Sequence, residues 1–165
     1  MAWSIELPLL LRHLIDDYNE PREYTDKRLE SLIVSAAQLT IATVDFPKDY
    51  SVDVVGRGIS PDPTDSPKDN GFINLITLKA ACLLATGDYR SSSNKGLVIK
   101  DGPSSIDARV LVESKKELAE TLCKDYTDAE LEYRLGNSSA GEAIIGPHRS
   151  DYSGGNTSRQ RPEFS

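Results

Sequence analysis

The chain has 165 residues, a formal net charge of -7 and a hydrophobic content of 38%. This length fits one domain with a modest core. The excess of acidic residues argues against a surface that binds nucleic acid, but it suits a protein past which a phosphate backbone moves without binding, because like charges repel. No run reaches the ~20 apolar residues of a membrane helix and the N-terminus lacks a signal-peptide pattern, so we expect neither membrane association nor export.

Helical spacing of apolar residues predicts two helices in the first third of the chain. The first covers about residues 7–18, with Pro8 tolerated in its first turn. The second begins at Thr25 or Asp26, because either side chain accepts a hydrogen bond from the free amides of a first turn. It runs to about Val44 and is apolar nearly all round, which places it at the centre of the bundle.

The period changes to two between Tyr50 and Ile59, which predicts a strand in a hairpin. The following stretch, 60–70, contains three prolines and is predicted to be an exposed loop. Residues 97–100 are β-rich, and we expect them to pair with the strand near residues 50–55. The sequence therefore predicts a small sheet beside the helices.

A third helix is predicted to begin near Asp69 or Asn70 and to end at Gly87, with residues 88–96 as a polar loop. It pairs with the second helix to form the core.

The last predicted helix is the longest. Residues 104–107 fit a capping box, and Gly136 suits the left-handed position after a helix. About 30 residues would span about 45 Å, which is longer than so small a globule needs. We expect part of this helix to project or to pack on a neighbour through a seam of apolar residues that includes Leu111, Leu118, Leu122, Tyr126 and Tyr133.

We divide the chain into a helical domain, 1–136, and an extended C-terminal arm, 137–165. The arm is rich in Gly, Ser, Asn and Arg and has too few apolar residues to fold alone. Such a segment orders on a partner, by adding a strand to a sheet or by lying in a groove. The arm residues that we expect to make the contact are Ile144, Ile145, Arg149, Tyr152, Arg159, Arg161 and Phe164.

The sequence contains no pattern that indicates catalysis, a metal or a cofactor. His13 lies on the polar side of the first helix and His148 lies in the arm, and both are predicted to be solvated side chains. The numerous Asp and Glu residues lack the spacing of a metal site or an acid–base pair. Cys82 and Cys123 lie in stretches with helical spacing, so we expect two core thiols in a reducing compartment.

Three segments resemble one protein family in their order along the chain and in their short local sequences. They are Tyr24–Ala37 (YTDKRLESLIVSAA), Leu75–Cys82 (LITLKAAC) and Ile99–Asp107 (IKDGPSSID). Together they resemble the head-to-tail connector, or adaptor, proteins of tailed bacteriophages, over roughly residues 20–150. The resemblance implies a small mainly helical bundle that forms a ring, commonly of twelve copies, below the portal protein.

The resemblance also implies the role of each part. The long helix would form the subunit contacts and the channel wall, and the arm from about Ala143 onward would anchor the ring in the portal. Genomic DNA would pass through the ring, and a neck, stopper or tail protein would bind below it. The protein would then be a structural part of the virion, assembled in the bacterial cytoplasm, and not an enzyme.

Two alternatives remain open from the sequence. One is another neck or head-completion protein such as a stopper, although such proteins tend to be β-rich barrels. The other is a small acidic module of the host that captures a basic peptide.

Overall fold

The computed structural model describes the backbone of residues 3–96 and 105–136 and the side chains of 3–94 and 111–136. Within these residues the fold is mainly helical with one small antiparallel sheet, as predicted. The helices are α1 (Trp3–Leu14), α2 (Asp26–Ile41), α3 (Asn70–Gly96) and α4 (Ser105–Gly136), and the strands are β1 (Ser51–Asp53) and β2 (Gly58–Ser60). The predicted arm lies outside the described residues.

The start of α2 and the start of α3 follow the capping chemistry that the sequence predicts. Thr25 precedes α2 in an extended conformation, and its hydroxyl accepts a hydrogen bond from the amide of Arg28. Asp69 precedes α3, and its carboxylate accepts a hydrogen bond from the amide of Phe72 at 3.0 Å. Each side chain satisfies an amide that has no partner inside the helix.

The centre of the bundle is α3, which packs against α1, α2 and α4. Burying a large aromatic side chain contributes more to a small core than any other residue type, and Phe72 is fully buried here. Among the described residues, one helical stretch, 70–94, is long and apolar enough to cross a membrane. However, 56% of its most apolar window is buried inside the bundle, as in the core helix of a globular fold. The main core comprises Trp3, Leu7, Leu11, Leu29, Ile33, Val34, Phe72, Ile73, Ile76 and Leu84 with smaller residues between them.

Several helix boundaries differ from the prediction. The first helix begins at Trp3 and ends at Leu14, so that Pro8 lies inside it and not in its first turn. The second ends at Ile41, before Val44. The third continues through Gly87 to Gly96, and the predicted polar loop 88–96 is helical. Packing of α3 along α4 explains this difference, because tertiary contacts override the weak helix propensity of a Ser- and Gly-containing stretch.

The small sheet is the hairpin predicted between residues 50 and 59. Within the described residues, Val52 lies opposite Ile59 and Ser51 opposite Ser60, so the strand predicted at 50–59 folds back on itself. The predicted strand at 97–100 lies outside the described residues.

Cys82 and Cys123 form a disulfide, which corrects the prediction of two free core thiols. Cys82 lies in α3 and Cys123 in α4, and the antiparallel packing of these helices brings their Cα atoms to 4.6 Å. That separation is within the range of a disulfide. The number and spacing of the cysteines gave no sign of this pairing, because it depends on how two distant helices align.

The helix α4 is longer than the core that it covers. Its 32 residues span about 48 Å. Among the described side chains, none is buried in α3 beyond Ala85 or in α4 before Ala119. The C-terminal turns of α3 and the N-terminal turns of α4 therefore extend past the core, and Gly136 is the last residue of α4 and not a residue beyond it.

Candidate interaction surfaces

The apolar seam predicted along the long helix is divided between the core and the surface. Leu122 and Tyr126 are 6% and 4% exposed and pack within their own chain. Tyr133 is half-buried beside Phe46, with the ring centroids 5.2 Å apart. Leu111 and Leu118 are exposed. Only the N-terminal part of the seam is therefore available to a neighbouring molecule.

The remaining predicted residues are placed as follows. His13 is exposed on α1, and its ring centroid lies 5.5 Å from that of Tyr18. Among the described residues no group of three His, Cys, Asp or Glu side chains is arranged to hold a metal ion. The arm residues and His148 lie outside the described part of the chain.

Large apolar side chains are exposed on several faces of the bundle. On α1, the side chains opposite the buried Leu7 and Leu11 are also apolar, so this helix is apolar nearly all round. A surface helix of this composition is suited to contact a second molecule. The exposed set on the helices comprises Ile5, Leu9, Leu10 and Leu14 in α1, Leu39 in α2, and Leu111, Leu118, Leu131 and Leu135 in α4, with Tyr18 just after α1.

The outward face of α4 is acidic over its middle turns. Glu113, Glu117, Glu120 and Asp128 are exposed and recur at helical spacing. Two exposed lysines, Lys116 and Lys124, lie among them, and Lys116 pairs with Glu120 at 3.7 Å. The face therefore keeps a net negative charge over about four turns of helix, and this charge repels polyanions.

An aromatic cluster holds the base of the β-hairpin against the start of α3. The ring of Tyr50 stacks on that of Phe72, with centroids 3.8 Å apart. The Tyr50 hydroxyl donates to the carboxylate of Asp69 at 2.8 Å. Burial, followed by the hydrogen bond to Asp69, raises the pKa of Tyr50 well above its ordinary value. The hairpin is thus fixed to the bundle at one end of α3.

The tip of the hairpin is the four-residue turn 54–57, and it exposes two valines. Val54 is 49% exposed and Val55 is 95% exposed. The carboxylate of Asp53 accepts hydrogen bonds from the amides of Val55 and Gly56, at 3.0 and 2.8 Å. A Cβ at Gly56 would overlap that carboxylate, so a larger residue there would displace Asp53 from the amides that it binds. Arg57 adopts a φ of 56°.

A small pocket lies at the opposite end of the bundle. It is a cavity of about 120 Å³ between the α1–α2 connection, α3 and α4. Its walls are apolar and its polar residues carry two carboxylates and one ammonium group. The lining residues are Ile15, Glu23, Tyr24, Leu84, Ala85, Asp88, Lys115 and Leu118.

Tyr24 organises the polar side of this pocket. Its hydroxyl donates a short hydrogen bond to the carboxylate of Asp88, and the guanidinium of Arg28 lies 4.8 Å from the centre of its ring. Burial, and after it the hydrogen bond and charge of Asp88, raise the pKa of Tyr24 well above its ordinary value, with Glu23 adding to the shift. The tyrosine therefore stays neutral between two negative groups.

A buried ion pair fixes the connection that forms one wall of the pocket. Arg12 is 3% exposed and pairs with the buried carboxylate of Asp17. Its second nitrogen donates to the carbonyl oxygen of Tyr24 at 2.8 Å and to Asp26 at 2.6 Å, and this hydrogen bond holds the pKa of Asp26 below its ordinary value. Asp17 also accepts a hydrogen bond from the amide of Glu23 at 2.7 Å. The course of the chain between α1 and α2 is thereby set by one arginine.

A second, more open groove lies between α2 and α3. Its volume is about 360 Å³, and Leu84 contributes to both this groove and the smaller pocket. The groove is lined by Arg28, Ser31, Leu32, Ser35, Leu83, Leu84 and Gly87.

Neither the pocket nor the hairpin tip was predicted from the sequence. The pocket residues come from three segments that meet only in the folded chain. The tip carried one signal, since its turn contains two consecutive valines where small or polar residues are usual.

Comparisons with protein-family models, with curated proteins and with solved structures find no match to this chain. The exposed apolar and acidic surfaces of the bundle are suited to contacts with other macromolecules.

Proposed function

We propose that this protein is a structural subunit of a tailed bacteriophage that assembles into a ring at the portal and joins the capsid to the neck and tail. The observation that carries the proposal is the apolar surface that the described residues leave exposed. Ile5, Leu9, Leu111 and Leu131 are each more than half exposed, on two helices. Ile5 and Leu9 are four residues apart and therefore adjoin each other on one face of α1, and adjoining exposed apolar side chains are suited to contacts with other proteins. The order of three sequence segments resembles that of connector proteins, and from this resemblance we infer that the assembly is a ring at the portal.

The long helix supports the same proposal. It extends past the core of its own chain, and an acidic face covers its middle turns. In a ring, such a face would line the channel, because its charge repels the phosphate backbone of passing DNA. Leu111 and Leu118 would then lie at the contact with a neighbouring copy.

The experiment mixes purified protein with purified portal rings and measures the mass of the product by native mass spectrometry. The proposal predicts a complex that holds a fixed number of copies, commonly twelve in this family, on each portal ring. A protein that stays monomeric and does not bind the portal rings would contradict the proposal.

The portal anchor is tested by deleting residues 143–165. We expect the truncated protein to keep its helical circular dichroism and to lose binding to the portal, because the arm has apolar residues but no core of its own. If the truncated protein still binds, the anchor lies in the described bundle.

One alternative is favoured by a specific observation. The 120 Å³ pocket with carboxylates at its polar side would suit a short peptide that carries one apolar and one basic residue. A host module of this kind would remain monomeric in the portal experiment and would bind basic peptides in solution.

A further inference from the structure

The hairpin tip departs from the chemistry that turns prefer. Turns favour Gly, Asn, Asp, Pro and Ser, whereas this turn has two β-branched residues, Val54 and Val55. Arg57 occupies the left-handed region, with a φ of 56°, where glycine or asparagine is favoured. Positions where the local sequence conflicts with the local structure are commonly functional.

The tip is also built to hold one shape. The carboxylate of Asp53 binds two amides of the turn, and the base of the hairpin is fixed by the stacking of Tyr50 on Phe72. A rigid, protruding apolar side chain loses little conformational freedom on binding. Val55 therefore has the properties of an anchor residue, and it is not covered by any other residue that the structure describes.

The pocket at the other end of the bundle matches this anchor in size and charge. A cavity of about 150 Å³ accommodates benzene, so a pocket of about 120 Å³ accommodates the smaller side chain of a valine. Of the two carboxylates at the pocket, Asp88 already accepts a hydrogen bond from Tyr24 and pairs with Arg28 at 3.9 Å, whereas Glu23 is exposed. Glu23 is therefore the carboxylate that is complementary to the cation of Arg57.

The two features lie too far apart to meet within one molecule. The hairpin packs at the C-terminal end of α2 and the start of α3, whereas Tyr24 precedes the N-terminal end of α2. The 16 residues of α2 alone separate these ends by about 24 Å. Two complementary surfaces at opposite ends give a head-to-tail contact, which generates a ring when the rotation between copies closes.

We propose that the hairpin tip of one copy inserts into the pocket of the next copy, with Val55 in the cavity and Arg57 facing Glu23. This contact deepens the proposed function, on which it rests, by naming the surfaces that join neighbouring subunits of the ring. The second copy is the occupant that the matched charge and the opposite placement favour; a portal or tail protein, or the arm, are the other outcomes of the test.

The first experiment is cysteine cross-linking of the full-length protein, with the native disulfide retained. A Val55→Cys copy is mixed with a Leu118→Cys copy under mild oxidation, because Leu118 lines the pocket and is 45% exposed. We expect a cross-linked pair, and a ladder of multimers when one chain carries both substitutions. Pairing Val55→Cys with Leu39→Cys is the control, since Leu39 is 47% exposed but lies outside the pocket. Equal cross-linking in the control, or none at Leu118, overturns the proposal.

The second experiment measures ring assembly on portal rings by native mass spectrometry. Val55→Asp should weaken association roughly 30-fold, the loss expected for an anchor residue. Arg57→Glu should weaken it and Glu23→Arg in the same chain should restore it, whereas Lys124→Glu, an exposed charge change on α4, should not weaken it. Arg57→Gly should weaken assembly while the Tm stays equal or rises, because glycine relieves the left-handed strain.

The two experiments separate this inference from the proposed function. Rings that form normally with Val55→Asp and show no link from residue 55 to residue 118 overturn the inference and leave the connector function standing. A link between copies without any ring on the portal leaves the contact standing and overturns the connector function. A link from residue 55 to the portal protein overturns the inference.

Discussion

The disulfide between Cys82 and Cys123 should make the bundle sensitive to reduction, to an extent set by the loop that it closes. The two cysteines are 41 residues apart in the sequence. In the chain-entropy model, closing a loop of this length restricts the unfolded chain and stabilises the fold by about 4 kcal/mol. For a domain of this size, loss of the bond then lowers the Tm by about 8 to 16 °C.

The perturbation is the double variant Cys82→Ser with Cys123→Ser, compared with the wild type before and after treatment with a reductant. Both cysteines are half-buried, so serine fits without a large desolvation penalty. Thermal unfolding is followed by far-UV circular dichroism, and the state of the bond is checked by the mass of the thiol-alkylated protein. We expect the reduced wild type and the variant to unfold at similar temperatures, both below the oxidised wild type.

Two results would refute this reasoning. If the oxidised and reduced wild types have the same Tm, although alkylation shows that the bond was present in one and absent in the other, the bond does not restrain the unfolded chain as the model requires. If the variant unfolds far below the reduced wild type, the substitution itself and not the lost bond accounts for the change.

Two further predictions concern buried charge and high pH. Arg12→Ala leaves the buried carboxylate of Asp17 without its cation, so the free energy of unfolding, measured in urea, should fall by about 3 to 5 kcal/mol. The control Arg22→Ala breaks an exposed ion pair and should lower it by less than about 1 kcal/mol. Similar losses in the two variants would contradict a stabilising role for the buried pair. Burial raises the pKa of Tyr24 and Tyr50 above the ordinary 10.0. The unfolded chain therefore releases these protons first, so their contribution is fully present below about pH 10 and is lost as the pH rises through the folded pKa. The Tm should fall above about pH 10 and fall less steeply in Tyr24→Phe; an unchanged slope would exclude Tyr24 as a source.

The sequence predicted those parts of the fold that depend on local chemistry. The start of α2 at Thr25 and the start of α3 at Asp69 follow from side chains that accept bonds from free amides. The hairpin follows from the alternation between residues 50 and 59. In each case the decisive interaction joins residues that are close in sequence.

The parts that were mispredicted depend on contacts between distant residues. Gly87 is a common end of a helix, but here α3 continues because α4 packs alongside it. The disulfide has the same origin, since Cys82 and Cys123 meet only when the two helices align. The apolar residues of the long helix recur at the same helical spacing along its whole length. That spacing does not reveal that Leu122 is buried and Leu118 is exposed, because the difference depends on where the other helices pack.

The candidate site follows this division as well. The unusual valines of the hairpin tip are visible in the sequence, because they conflict with the turn that surrounds them. The pocket has no local signal, since Tyr24, Asp88 and Leu118 belong to three separate segments. A sequence pattern can therefore indicate the inserting residue of this contact but not its receptor.

The cross-links of the bundle lie where they would keep that receptor in shape. Arg12 fixes the connection that carries Tyr24. The disulfide joins α3 to α4 close to the pocket, since Cys82 is two residues from Leu84 and Cys123 is five residues from Leu118. A pocket that is already formed before binding avoids the cost of ordering its walls. Such contacts gain further when they repeat around a closed ring, because each copy is held on two sides and the loss of one contact leaves the other in place. In the proposed ring, an individually weak insertion of one valine would then be sufficient to order neighbouring subunits, provided that the walls of its pocket do not move.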